Sequence, residues 1–187
     1  AIASRSVKTC DGACGSLGDF ATSNTAITKT LLGDASMTNT ARDDLIKWIR
    51  GENLDDDMSK GTTVMRPSVH GDVVHSRPLA VDYGGTTGVV VYYGGNDGML
   101  RATNGKKEDA AGRELWSFVA PEHYGKLKRL KANSPNIKFP DEPEETKPKD
   151  YFFDGPIGVH RSDSTVWIYP SMRRGGRMVY AFDVSTP

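Results

Sequence analysis

The side chains with the strongest claim to chemistry fall in a few short stretches. Gly51-Glu52-Asn53-Leu54-Asp55-Asp56-Asp57 is the one acidic cluster. Calcium takes about six to eight hard oxygens, so carboxylates clustered in a loop are candidate donors. The alternating D-x-D-x-D-G pattern is absent, because Asp55, Asp56 and Asp57 are consecutive. Asn53, Asp55 and Asp57 do alternate and share a face in extended chain, which makes them the candidate calcium ligands. The plainer reading is a solvated loop. Cys10 and Cys14, in CDGAC, are the only cysteines. A lone pair in an exported protein is more often a bridge than a metal site, so a small disulfide loop is expected, with free thiols or a metal as the alternatives. Two thiolates do not complete a tetrahedral zinc site, and no His lies nearby.

Asp72, His75 and Ser76 have the residue types of a hydrolytic triad. Triads are recognised by geometry, not by closeness in sequence, and no G-x-S-x-G elbow accompanies these residues. A structural hydrogen-bonding role is therefore expected for Asp72, His75 and Arg77, in a strand that puts His75 and Arg77 on one face. Ser171–Arg177 places Arg173, Arg174 and Arg177 on a glycine-rich turn. Those types suit phosphate, but neither a P-loop nor a dinucleotide fingerprint is present, so a plain loop at a sheet tip is expected. Lys126, Lys128, Arg129 and Lys131 read as a solvated basic face. No aromatic interleaving supports nucleic-acid stacking.

The elements that would carry these residues are organised around 89–104, VVVYYGGNDGMLRATN. β-branched and aromatic residues fit a pleated, buried surface, and Asn-Asp-Gly tolerates the positive φ of a tight turn. A β-hairpin with a buried first strand is expected. Its third-strand segment Met99–Asn104 lines up with Met178–Asp183, 79 residues on, and Pro78–Val81 lines up with Pro156–Val159, 78 residues on. Each copy holds one more apolar run between these anchors, Val89–Tyr93 in the first and Thr165–Tyr169 in the second. Glu114–Val119 alternates and reads as the first copy's fourth strand; the second copy has no such strand. Removing 121–150 as an insertion leaves a period of about 48 residues, near that of a propeller blade. The bland alternative is two unrelated hairpins in a β-sandwich. The fold expected is mainly β with a few helices: a helical and loop segment over 1–70, a first four-stranded blade over 71–120, a charged Pro-rich insertion over 121–150, and an incomplete blade over 151–187.

Before the repeat, residues 1–22 read as irregular. Ser23-Asn24 is a candidate cap for a helix through Leu32, with Gly33 as its stop. Thr40 with Asp43 offers a capping box for a second helix, whose apolar face is Ala41, Leu45, Trp48 and Ile49 and which ends at Gly51. Glu122–Lys131 reads as a short helix and Pro140–Lys149 as an extended surface loop. The 24 basic and 24 acidic side chains of the 187 residues favour neither nucleic acid nor an acidic surface as partner. No apolar run approaches the ~20 residues of a membrane span, and residues 1–30 lack a signal-peptide pattern. Two blades cannot close a ring of about four or more, so an excised piece of a longer chain is expected.

LIKWIRGEN, GDVVHSRPLAV, VVYYGGNDGMLRATNG, GRELWSF, YFFDGPIGV and GGRMVYAFDVSTP follow one another in this order. The run, from about Ser16 to Pro187, resembles the type IV pilus tip-associated adhesin and assembly factor family (the PilC/PilY family). It departs from that pattern at Arg101 and Thr103, where His and a large apolar residue are commoner. The resemblance implies a large exported protein of the pilus tip, cell surface or outer membrane, with a modified β-propeller whose blades are like those of quinoprotein dehydrogenases. It implies a non-enzymatic role in pilus assembly, adhesion and twitching motility, with minor pilins and a host or surface ligand as partners. Calcium regulates some members, through a loop that lies beyond the present residues. The alternatives are a quinoprotein-like oxidoreductase fragment and a calcium-responsive binding module.

Overall fold

A computed structural model describes residues 4–107, 112–140 and 145–187. The chain is mainly β, with two sheets and two short α-helices among the described residues. The central hairpin forms as its residue types require. Strand β4 (Val89–Gly94) pairs antiparallel with β5 (Met99–Asn104) across the Gly-Asn-Asp-Gly turn. Burial is deeper than expected on the second strand: β5 is buried from Met99 to Thr103, while β4 alternates. Strand β3 (Leu79–Asp82) adds on one side and β6 (Glu114–Val119) on the other, completing a four-stranded antiparallel meander.

The sheet does not stop at four strands. Residues 7–19, read from sequence as irregular, form β1 (Val7–Asp11) and β2 (Ser16–Asp19). β1 runs parallel to β6, with Val7 opposite Ser117, and gives the six-stranded order β2-β1-β6-β5-β4-β3. An exposed β6 edge would leave a row of unpaired backbone groups, and β1 covers part of it. The second copy is β7 (Ile157–Ser162), β8 (Thr165–Pro170) and the two-residue β9 (Phe182–Asp183), in the order β7-β8-β9. This meander repeats the order of β3-β4-β5. Its third strand is shorter than Met178–Asp183, because only a Ser171–Val179 bridge pairs the segment before Phe182.

The two sheets pack face to face. Val81, Val90, Tyr92 and Ala102 from the large sheet meet Val166, Ile168 and Val184 from the small one. An aromatic seam runs along the join: Trp116, Phe118, Phe153, Tyr180 and Phe182 lie with ring centroids 5.0–6.1 Å apart. The opposite face of the large sheet carries Val7, Met99 and Val119 and is covered by α1 (Asn39–Ile49) and α2 (Tyr124–Ala132), through Leu45, Ile46, Ile49, Tyr124 and Leu127.

Three local expectations need correction. The first helix cap is Thr38, whose hydroxyl accepts from the Ala41 N–H at 3.0 Å, two residues before the Thr40–Asp43 box. The helix through Leu32 is replaced by turns. Arg42 donates to the carbonyls of Thr22, Asn24 and Ile27, and the last two are acceptors that a helix would need. The basic face on α2 is not simply solvated. Lys126 donates to the carbonyls of Tyr151 and Gly175, Lys128 pairs with Asp34, Arg129 with Asp150, and Lys131 lies 3.7 Å from Asp55. Residues 141–144 of the expected surface loop lie outside the described residues.

Candidate functional site

The turn of the central hairpin is the joint on which the chemistry-bearing residues converge. Asn96 is buried, donating from Nδ2 to Asp72 at 2.6 Å and accepting the Phe152 N–H at 3.1 Å. It thus ties the irregular segment before the first meander to the start of the second. Asp97 accepts two hydrogen bonds from Arg101, at 2.9 and 2.7 Å, and one from the Gly71 N–H at 2.7 Å. Burial alone would raise the Asp97 carboxyl. The Arg101 charge, its hydrogen bonds and the Gly71 amide outweigh that and hold it below the ordinary range. Arg101 continues to Glu114 at 3.3 Å, and Glu114 accepts from Arg5 at 2.7 and 3.0 Å. Two arginines and two carboxylates therefore balance inside the sheet. This explains an arginine at position 101, where the side chain is only 3 % exposed. Removing one partner of such a buried pair costs roughly 3–5 kcal/mol.

The sheets come into register because glycine allows backbone contact. A Cβ on Gly94 would collide with the Phe153 carbonyl, and one on Gly175 with the Phe152 carbonyl. The Phe152-Phe153 backbone is thus gripped from both hairpins. The buried carboxylate of Asp154 follows, accepting from His75 Nδ1 at 2.9 Å with Arg173 at 3.6 Å.

The structure does not gather Asp72, His75 and Ser76 into a triad. His75 turns to Asp154 and Asp72 to Asn96 and Lys149, while Ser76 Oγ accepts the Gly94 N–H at 2.8 Å. Burial alone would raise the Asp72 carboxyl; the bonds from Asn96 and Lys149 hold it low. The structural role expected for Asp72 and His75 is what their contacts show, but 71–77 is irregular backbone rather than a strand, and Arg77 is exposed. Of the arginines on the second turn, Arg173 reaches Asp154 and Arg174 stacks over Tyr151 at 5.3 Å.

Of the candidate calcium residues, Asn53 and Asp57 meet through the Asp57 backbone, while Asp55 turns to Lys131. Asn53 is buried and organises its own loop, donating to the carbonyls of Asp57 and Gly61 and accepting the Asp57 N–H at 2.9 Å. Asp55 faces Lys131 at 3.7 Å. Among the described residues, no group of three or more His, Cys, Asp or Glu side chains is placed to hold an ion. Cys10 and Cys14 are joined in a disulfide across the β1–β2 turn, where Cys10 packs on Leu100 and Phe118.

A cleft of about 270 Å³ lies beside the hairpin turn, lined by residues from distant parts of the chain, among them Trp48, Arg66, Val69, Asp97, Ile137 and Lys149. Sequence reasoning passed over Arg66. Its guanidinium carbon sits 3.4 Å from the centroid of the Trp48 ring, and the residue is 7 % exposed. Its Nε is buried with no hydrogen-bond partner among the described residues. Burial works against its charge, with Asp57 and Asp97 favouring it from a distance. A desolvated cation–π stack is worth about 2 kcal/mol, whereas an unsatisfied buried donor costs roughly 1–3 kcal/mol, more when charged. The stack alone does not account for a cation held this way.

His123 is the second buried group without ordinary partners. Neither ring nitrogen has a hydrogen-bond partner among the described residues, and Phe152 and Phe153 pack on it edge-on at 5.1 Å. Burial, with Lys126 nearby, pushes its pKa down to about 3, and the Gly98 backbone opposes this only weakly. The ring is neutral and structural, in the aromatic core between α2 and the second meander. No family model, curated protein or solved structure matches the chain.

Proposed function

We propose that the chain is a non-enzymatic module of a type IV pilus tip-associated protein, built as two stacked blades of a partial β-propeller and promoting pilus assembly, adhesion and twitching motility. The observation that carries this reading is the stacking of two consecutive meanders of like strand order, joined by an aromatic seam. Stacked sheets related by a sequence repeat are the building principle of propellers. The ordered motifs that resemble the pilus tip family support the same reading, as does the Cys10–Cys14 bridge, which suits an exported protein. Minor pilins and a surface or host ligand are the partners that this role requires.

The test uses the parent gene. Its deletion should abolish surface pili and twitching, and a parent carrying Gly175→Ala, which disrupts the grip on Phe152, should reproduce that loss. Unchanged piliation and attachment after deletion would overturn the reading. Stoichiometric quinone binding by the full-length parent would favour the oxidoreductase alternative.

A further inference from the structure

The cleft beside the first hairpin turn contains a cation that the fold leaves without a counter-charge. We propose that it is a binding site for a small carboxylic acid with a short apolar body, the carboxylate on Arg66 and the body against Trp48, Val69, Leu130 and Ile137. The site would exist whatever role the parent protein plays.

The charges lining the cleft decide the sign of the ligand. Lys149 pairs with Asp72, Arg129 pairs with Asp150 at 2.9 Å and also donates to backbone carbonyls, and Asp97 is held by Arg101. Arg66 lines the cleft and has no carboxylate within 4.0 Å among the described residues, while its enclosed Nε–H donates to nothing. One positive charge is therefore unmatched. The Trp48 ring fixes the guanidinium plane, and a planar N–H fork matches a carboxylate through two parallel hydrogen bonds. A carboxylate in the cleft would take the two terminal N–H groups of the fork, since Nε itself is enclosed.

The same lining argues against a dianion. Asp72, Asp97 and Asp150 all border the cleft, so phosphate would bring a second negative charge towards three carboxylates. The rest of the wall is largely apolar: Trp48, Val69, Leu130, Pro135 and Ile137. Ligand sites combine such a surface with a few convergent polar groups. The volume of about 270 Å³ equals about nine waters at roughly 30 Å³ each. That is enough for an acid the size of benzoate.

The experiment is an NMR titration of the ¹⁵N-labelled 187-residue chain with benzoate, benzyl alcohol and inorganic phosphate. The signals to follow are the Trp48 indole N–H and the amides of Val69, Gly71 and Ile137. Saturable shifts confined to these signals are expected with benzoate. Benzyl alcohol, of the same body without the charge, should bind at least tenfold more weakly, and phosphate should leave the signals unmoved. Arg66→Leu should weaken benzoate at least tenfold, and Arg66→Lys should recover part of the loss. Equal binding of benzoate and benzyl alcohol, tighter binding of phosphate, full benzoate affinity in folded Arg66→Leu, or no saturable benzoate shift would each overturn the proposal. Should Arg66→Leu not fold, the benzoate and benzyl alcohol comparison on the unaltered chain decides.

Discussion

Replacing His123 with leucine should remove a defined part of the chain's sensitivity to acid. In the folded chain, burial beside Phe152 and Phe153 lowers the imidazole from its ordinary 6.5 to about 3. Between those values the unfolded chain binds a proton that the folded chain refuses. Stability from this residue is therefore fully present above about pH 6.5 and is lost as the pH falls, at about 1.4 kcal/mol per unit. From pH 7.5 to pH 5 the loss comes to about 2 kcal/mol. Asp97, Asp72 and Asp19 have lowered carboxyls, so their losses fall mainly at more acid pH. Urea unfolding of the native chain and His123→Leu at pH 7.5, 6 and 5 isolates the difference. The stability gap should shift by about 2 kcal/mol in favour of the variant across that range. Parallel pH profiles, agreeing within about 0.5 kcal/mol, would refute the reasoning that a neutral ring is enforced there.

Asp97→Asn should destabilise the chain by roughly 3–5 kcal/mol, because it leaves the buried Arg101 short of its carboxylate; chemical denaturation reads the loss. Gly175→Ala, facing the Phe152 carbonyl, should cost about 1–3 kcal/mol or more and lower the thermal midpoint. Cys10→Ser with Cys14→Ser should lose about 2 kcal/mol, the loop-closure value for so short a ring, measured by calorimetry against the oxidised chain. Calcium should leave the thermal midpoint unchanged, since Asn53 is occupied with its own loop. A rise that disappears in Asp55→Ala plus Asp57→Ala would mean that the loop regroups around the ion.

What the sequence made legible was local. Val89–Tyr93 and Gly-Asn-Asp-Gly carry their hairpin in residue type alone, and the alternation of Glu114–Val119 identifies the adjoining strand. The two copies could be aligned because strand and turn chemistry recurs at nearly constant spacing. β1 escaped notice because its partner is β6, across more than a hundred residues, and four to five residues of polar-flanked chain give no periodic signal. The 23–32 helix failed for a different reason: local propensity lost to Arg42, a residue outside the segment, which claims its carbonyls. The cleft was invisible for the same kind of cause. Trp48, Arg66, Ile137 and Lys149 are ordinary in their own neighbourhoods and meet only after both helices have docked. Arg101 stood out as a departure from a family motif, but its reason, a neutral four-charge cluster, needed Arg5 and Asp97 in space.

The pairing of β1 with β6 has a consequence for synthesis. β1 leaves the ribosome long before its parallel neighbour exists, so its hydrogen-bonding groups on that side must wait while about a hundred residues are translated. During that delay pairing with β2 satisfies β1 on its other side, while the side that awaits β6 stays open to stray strands.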